Sequence, residues 1–171
     1  APGEYEVNLN IRNSAGLTSS DSIKVYVNYA GQWSDFEMGG NTSGNAQTLD
    51  FDVNIVYDKD QGNTIRKAVG ELTYPQIDDG CFETGTGNCR AQLDIYAINE
   101  EDEEADNTTD KALDQRTEGD CDEDNNDCVH LPLSSYMFTD TESSYGDGEW
   151  VLQIRNGKVN DLQVESFIIR L

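Results

Sequence analysis

The chain has 171 residues, with 34 acids against 11 Lys and Arg and a formal charge of −23; its sequence pI is about 4.1. So little basic charge excludes nucleic acid and anionic lipid surfaces as partners, because both are held by Lys/Arg patches. No apolar run approaches the roughly 20 residues of a bilayer span, so no membrane insertion is expected, and the lack of an initiator Met or leader-like segment reads as a processed product or an excerpt.

Tyr5, Val7, Leu9 and Ile11 alternate with Glu6, Asn8, Asn10 and Arg12. A turn follows at Asn13 to Gly16, then a second alternating run of Ile23, Val25, Val27 and Tyr29. This period of two predicts a β-hairpin over 1–29 with one apolar face. A lone hairpin is marginal in water, so that face must find cover. Residues 30–48 turn to Gly, Ser and Asn and read as a linker or irregular segment, with a domain boundary near Tyr29. Within it, Trp33 and Phe36 are read as a plug over the hairpin or, failing that, as exposed rings for a partner or sugar.

Strand patterning then resumes. Leu49, Phe51, Val53, Ile55 and Tyr57 are expected inward, with Asp50, Asp52 and Asn54 outward. A weaker strand over 65–74 is stopped by Pro75, and 91–98 carries Leu93, Ile95 and Ala97 on one face. Pro132 cannot donate to a ladder, so 129–138 is an edge strand or extended loop. Runs 149–155 and 162–171 close the chain, with Asn156-Gly157 between them expected as a hairpin turn. Residues 99–128 hold 14 of the 34 acids and read as an acidic insertion without a core of its own. The prediction is all-β: a β-sandwich or jelly roll over 30–171, preceded by an immunoglobulin-like hairpin fragment.

Four cysteines occur as close pairs, Cys81/Cys89 and Cys121/Cys128, in loops rich in Gly, Asn and Asp. Neither pair has the spacing of a zinc knuckle, and His130 is the only histidine. Three disulfide connectivities are open; the two local bridges are favoured, and disulfides imply an oxidising, extracellular or cell-surface home.

The acids are read either as a hydrated surface or as calcium ligands. In "GDCDEDNNDC", Asp120, Asp122 and Asp124 take positions 1, 3 and 5 of an EF-hand-like loop, spaced to converge on one Ca²⁺. Asn125 stands at the usual glycine position, Leu131 replaces the bidentate Glu, and Asp127 is available to compensate. Clusters around Glu101 to Asp106 and around Asp140, Glu142 and Asp147 are further candidates. For catalysis, His130 has Ser134, Ser135 and Asp127 near it in sequence, but no G-x-S-x-G elbow is present. No catalytic residue is assigned.

Two resemblances extend this account. Pro2-Gly3-Glu4-Tyr5, Val7-x-Leu9, Asn13-x-x-Gly16 and Val25-x-Val27 resemble the last two strands of a PKD immunoglobulin-type domain, over residues 1–28. Gly148-x-Trp150-x-Leu152-x-Ile154 followed by Val164-x-Ser166-Phe167-x-Ile169 looks like the end of a proprotein-convertase P domain, a jelly-roll sandwich. The middle of the chain departs from the P-domain pattern: its glycine-aspartate and Ser-Pro-x-Gly turns are missing. Both families imply a non-catalytic module appended to secreted bacterial proteins, in an accessory, stabilising or adhesive role, and some P domains carry structural Ca²⁺. The expected partners are other protein domains or like subunits, with extracellular polysaccharide as a further alternative. The competing expectation is a structural subunit of an extracellular filament or surface layer that assembles by strand addition.

Overall fold

The structure, a computed structural model, describes residues 3–27, 30–41, 43–60, 62–65, 67–76, 90–112, 115, 126–139 and 141–171. Among them ten strands follow in order: β1 (Gly3–Arg12), β2 (Thr18–Val27), β3 (Ala30–Met38), β4 (Gln47–Ile55), β5 (Lys67–Pro75), β6 (Leu93–Ile98), β7 (Glu104–Asn107), β8 (Asn126–Ser134), β9 (Gly148–Asn156) and β10 (Leu162–Arg170). They form three antiparallel sheets, ordered β1-β2, β3-β10-β5-β8 and β4-β9-β6-β7.

The pairing is nested. Strands β3, β4, β5 and β6 take β10, β9, β8 and β7 as partners, the first with the last and so inward. A ribbon of four such pairs rolls up when β10 also pairs β5 and β9 also pairs β6. Two four-stranded sheets face to face in this order are a jelly roll, so the chain folds as the all-β sandwich its alternation predicts.

Alternation supplies the core. Ala68, Leu72 and Tyr74 of β5, Leu93, Ile95 and Ala97 of β6, and Trp150, Leu152 and Ile154 of β9 are all buried. A 3₁₀ turn at Ser135–Phe138 sets Phe138 edge-on to Trp150, with ring centroids 5.1 Å apart. β8 lies at a sheet edge with Pro132 exposed, where a missing N–H costs no ladder bond.

Three expectations give way. Residues 30–48 are not simply a linker, because they contain β3. Its inward residues, Trp33, Phe36 and Met38, skip one position at Ser34 and Asp35, and Asp35 has a φ of 54°. β10 skips at the same level, so Met38 still faces Leu162, Phe36 faces Val164 and Trp33 faces Phe167. Paired strands that change phase together keep their register and their apolar face.

Asn156-Gly157 is not a hairpin turn either. β9 and β10 lie in different sheets, and the segment between them crosses the sandwich edge. Asn156 is buried there: its Nδ2 donates to the carbonyls of Gly39 (3.1 Å) and Asn160 (3.0 Å), and its Oδ1 accepts from Lys158 N (2.8 Å). Asn-Gly signals that a chain turns, and here tertiary bonding decides what the turn joins.

The acidic stretch 99–128 is also more than an insertion, since it supplies β7 and the first residues of β8. Thr108, Asn126 and Asp127 within it are buried.

The hairpin stands outside this core. Tyr5 faces Val25 and Val7 faces Ile23, while Leu9 and Ile11 lie opposite Asp21 and Ser19. The turn is fixed by Asn13, whose Oδ1 accepts the N–H groups of Ala15 and Leu17 at 3.0 Å each, and by Gly16 at φ 85°. Residues 5–25 are exposed throughout, on both faces.

Candidate functional site

The apolar face of the hairpin is the most conspicuous surface. Val7, Leu9, Ile11, Ile23, Val25 and Val27 are 40–61% exposed. Period two alone puts these side chains on one side of a two-stranded sheet, and the other side carries polar residues such as Glu6 opposite Lys24. The face offers hydrophobic contact, interrupted by Asp21 opposite Leu9 and Ser19 opposite Ile11.

A second feature lies where the two cysteine-bearing segments leave the sandwich. β5 and β8 run side by side to Pro75 opposite Asn126. Just beyond, Gln76 accepts from Ala91 N (2.9 Å), and its Nε2 donates to the Asn126 carbonyl (3.2 Å). Asp127 has no solvent-exposed surface, and its Oδ1 accepts from Arg90 Nη2 at 2.6 Å. A carboxylate taken out of water must be compensated, and this guanidinium provides for it. Cys128 is buried with its Sγ 3.4 Å from Thr73 Oγ1, and it is not a free thiol.

Of the proposed calcium ligands, Asp127 is paired through Oδ1 with Arg90. Asp120, Asp122 and Asp124 lie outside the described residues, as do Cys81, Cys89 and Cys121. Among the described residues no group of three or more His, Cys, Asp or Glu is gathered as a metal ion requires. Glu101 accepts from Asn99 Nδ2 (2.9 Å), and Asp147 accepts from the Tyr57 N–H (3.1 Å). Arg90 was not singled out from sequence. Its signal is a lone cation directly after Cys89, in a chain with few cations to place.

His130 faces Glu71 across β5 and β8, with Nδ1 3.6 Å from the carboxylate that Arg170 also approaches at 3.3 Å. Its acidic neighbour is thus Glu71, whereas Asp127 is turned to Arg90. Trp33 and Phe36 are half-buried parts of the sandwich. Trp33 lies 4.7 Å from Phe51 and 6.0 Å from Phe167, and Phe36 lies 6.0 Å from Phe51, between ring centroids. These rings extend the core toward β4.

Among the described residues, the clefts that open on the sandwich include two. One of about 500 Å³ is bounded by Tyr57, Asp58, Lys59, Thr139 and Asp147. The other, of about 430 Å³, lies beneath the β6–β7 turn and is lined by Asp52, Asn54, Glu100, Asp102 and Glu149. Asn99 pins that turn by accepting from Glu103 N (2.7 Å) and donating to the Tyr145 carbonyl (3.2 Å).

No protein-family model matches the chain, and no curated protein matches it.

Proposed function

We propose that this chain is a non-catalytic extracellular module: a jelly roll that braces or adheres, with its hairpin as the contact to other protein domains or like subunits. One observation carries this reading. Beside a filled jelly-roll core, the β1–β2 ribbon presents to solvent a largely apolar face that Ser19 and Asp21 interrupt, and an exposed apolar face rimmed by polar residues marks a protein contact. The PKD-like pattern of residues 1–28 and the P-domain-like pattern of 148–169 agree with such a module. Local bridges Cys81–Cys89 and Cys121–Cys128 close the two polar loops, and Ca²⁺ held by Asp120, Asp122 and Asp124 stiffens the second.

Fractionation of the source cells tests this reading. The chain is expected in the secreted or surface fraction with all four cysteines oxidised. A cytosolic pool with free thiols overturns it.

A second reading has a specific observation in its favour. Among the described residues no further strand pairs with either long edge of the two-stranded sheet, and open edges accept further strands. On that reading the chain is a subunit of an extracellular filament or surface layer. On the polysaccharide alternative, Trp33 and Phe36 are the candidate contact rings, half-buried beside Phe51.

A further inference from the structure

Resting on the extracellular-module reading, we infer that Asn107 is a glycosylation site, whose side-chain amide takes a sugar chain from a lipid-phosphate-linked oligosaccharide.

The chain holds two triplets of the acceptor type Asn-x-Ser/Thr: Asn41-Thr42-Ser43 and Asn107-Thr108-Thr109. Such triplets arise by chance, and what separates these two is their surroundings. Asn107 ends β7, the last strand in the order β4-β9-β6-β7. The chain leaves it through a turn in which the Lys111 N–H donates to the Thr108 carbonyl at 3.0 Å. Thr109 and Asp110 in that turn are exposed, so the acceptor is approached from solvent.

The two threonines have opposite roles. Thr108 is buried, and its hydroxyl donates to Asp94 (3.1 Å) and accepts from the Ile95 N–H (3.0 Å), which ties the turn to β6. Thr109 faces outward, and its hydroxyl is the one the triplet requires. Thr109 Oγ1 donates to Asn107 Oδ1 at 2.5 Å, and the Thr109 N–H donates to the same oxygen at 2.9 Å. Two donors on the carbonyl oxygen polarise the amide. The nitrogen is left to donate to Glu104 Oε1 at 2.7 Å. Glu104 is an exposed side chain, so Nδ2 is released by a rotation of Glu104 that breaks no backbone bond.

Asn41 differs on each count. It stands where the β3–β4 and β9–β10 connections meet, with its N–H donating to the Lys158 carbonyl and its Nδ2 to the Gly157 carbonyl (3.3 Å). Its nitrogen is directed at backbone, and it is expected to stay bare. Asn107 instead faces Tyr96 across the ladder, and the Tyr96 ring carries the Arg155 guanidinium 3.5 Å from its centre. Cross-strand partners are neighbours on one face of a sheet, so the first sugar has an aromatic ring and a hydrogen-bond donor beside it. Among the described residues β7 has no partner beyond β6, and a sugar chain at its end shields an edge open to further strands.

The step is a substitution at the anomeric carbon. The bond from Asn107 Nδ2 to that carbon forms, the bond from the carbon to the carrier's phosphate oxygen breaks, and the phosphate leaves with the electron pair. One amide proton ends on the released phosphate, and nothing is oxidised or reduced.

Peptide mass spectrometry on the chain from the secreted or surface fraction tests the site. Cleavage after Arg90 and Lys111 gives a fragment 91–111 that holds the triplet. The fragment is expected to carry sugar mass, which a glycan-releasing amidase in heavy-oxygen water removes, leaving labelled aspartate in place of Asn107. Asn107→Gln and Thr109→Ala are expected to lose the sugar, while Thr109→Ser keeps it; a residue needed only to shape the turn would not give that hydroxyl-dependent pattern. A bare fragment from surface chain with all four cysteines oxidised overturns the inference and leaves the module reading standing. Sugar on the fragment that survives Asn107→Gln overturns it as well. A chain found only in the cytosol with free thiols overturns the module reading and the inference together.

Discussion

The Arg90 guanidinium lies 2.6 Å from the carboxylate of Asp127, which is wholly removed from solvent while Arg90 keeps 29% of its side-chain surface exposed. This pair ties the residue after the first cysteine loop to the second residue of β8, at the point where the second loop ends. Removing one partner of such a pair leaves a buried charge poorly compensated, which costs about 3–5 kcal/mol for fully buried pairs. With Arg90 part-exposed, Arg90→Gln is expected at the lower end, about 3 kcal/mol, read from the shift of the urea midpoint at constant slope. A loss under about 1 kcal/mol would place the pair with ordinary surface bridges.

The β3–β4 and β9–β10 connections cross in contact, and Gly40 sits at the crossing. Its N–H donates to Asp161 (2.7 Å), and a Cβ on Gly40 would overlap the Val159 carbonyl. Neither backbone can yield without breaking the Asn156 bonds to Gly39 and Asn160. Gly40→Ala is therefore expected to cost about 2–3 kcal/mol, the range of overpacked sites. At about 2–4 °C per kcal/mol for a chain of this size, the melting temperature falls by roughly 4–12 °C. Gly157→Ala, where a Cβ meets open space, is the matched control and is expected to shift the melt by far less.

The regular strands were legible because a half-buried strand writes its two faces into alternate residues, as in Leu93, Ile95 and Ala97. β3 was hidden for the converse reason. Its inward residues skip a position at Asp35, so Trp33, Phe36 and Met38 follow neither a strand nor a helix period. The partner strand carries the same skip, with Leu162 and Val164 followed by Phe167 and Ile169. Only the pairing of the two makes either intelligible. Asn156-Gly157 misled because local turn chemistry states that the chain bends, and the bonds from Asn156 to Gly39 across the sandwich decide where it goes next. Arg90 and Asp127 could not be joined from sequence, since they lie 37 positions apart and only the β5–β8 register and the Gln76–Ala91 bond bring them together.

Trp33 and Phe36 separate a packing role from a ligand role. Trp33 lies against Phe51 and Phe167, so Trp33→Ala removes aromatic contacts from the margin of the core. Full truncation of a buried Trp costs about 3–5 kcal/mol, and a half-buried ring is expected to cost about 2–3 kcal/mol. Titration with soluble polysaccharides is expected to give the same response for Trp33→Ala as for the parent chain. A lost glycan affinity without lost stability would assign the ring to a ligand instead.

The second cysteine loop joins two proposals that one set of variants can separate. If Asp120, Asp122 and Asp124 hold Ca²⁺, the ion binds the folded chain alone and stabilises it by mass action, about 2.7 kcal/mol at a hundredfold excess over Kd. The melting temperature in Ca²⁺ is then expected to exceed that in chelator by roughly 5–11 °C. The difference should vanish in Asp122→Ala/Asp124→Ala while the melt in chelator stays as in the parent chain. A bridge between Cys121 and Cys128 stabilises independently of the ion, by about 2–3 kcal/mol for so short a loop, so Cys121→Ser is expected to lower the melt with and without Ca²⁺. Because Arg90 already holds Asp127 at this root, Asp127→Asn should destabilise the chain equally in Ca²⁺ and in chelator. A calcium response that disappears with Asp127→Asn would instead make that carboxylate a ligand and displace Arg90 from the role assigned to it.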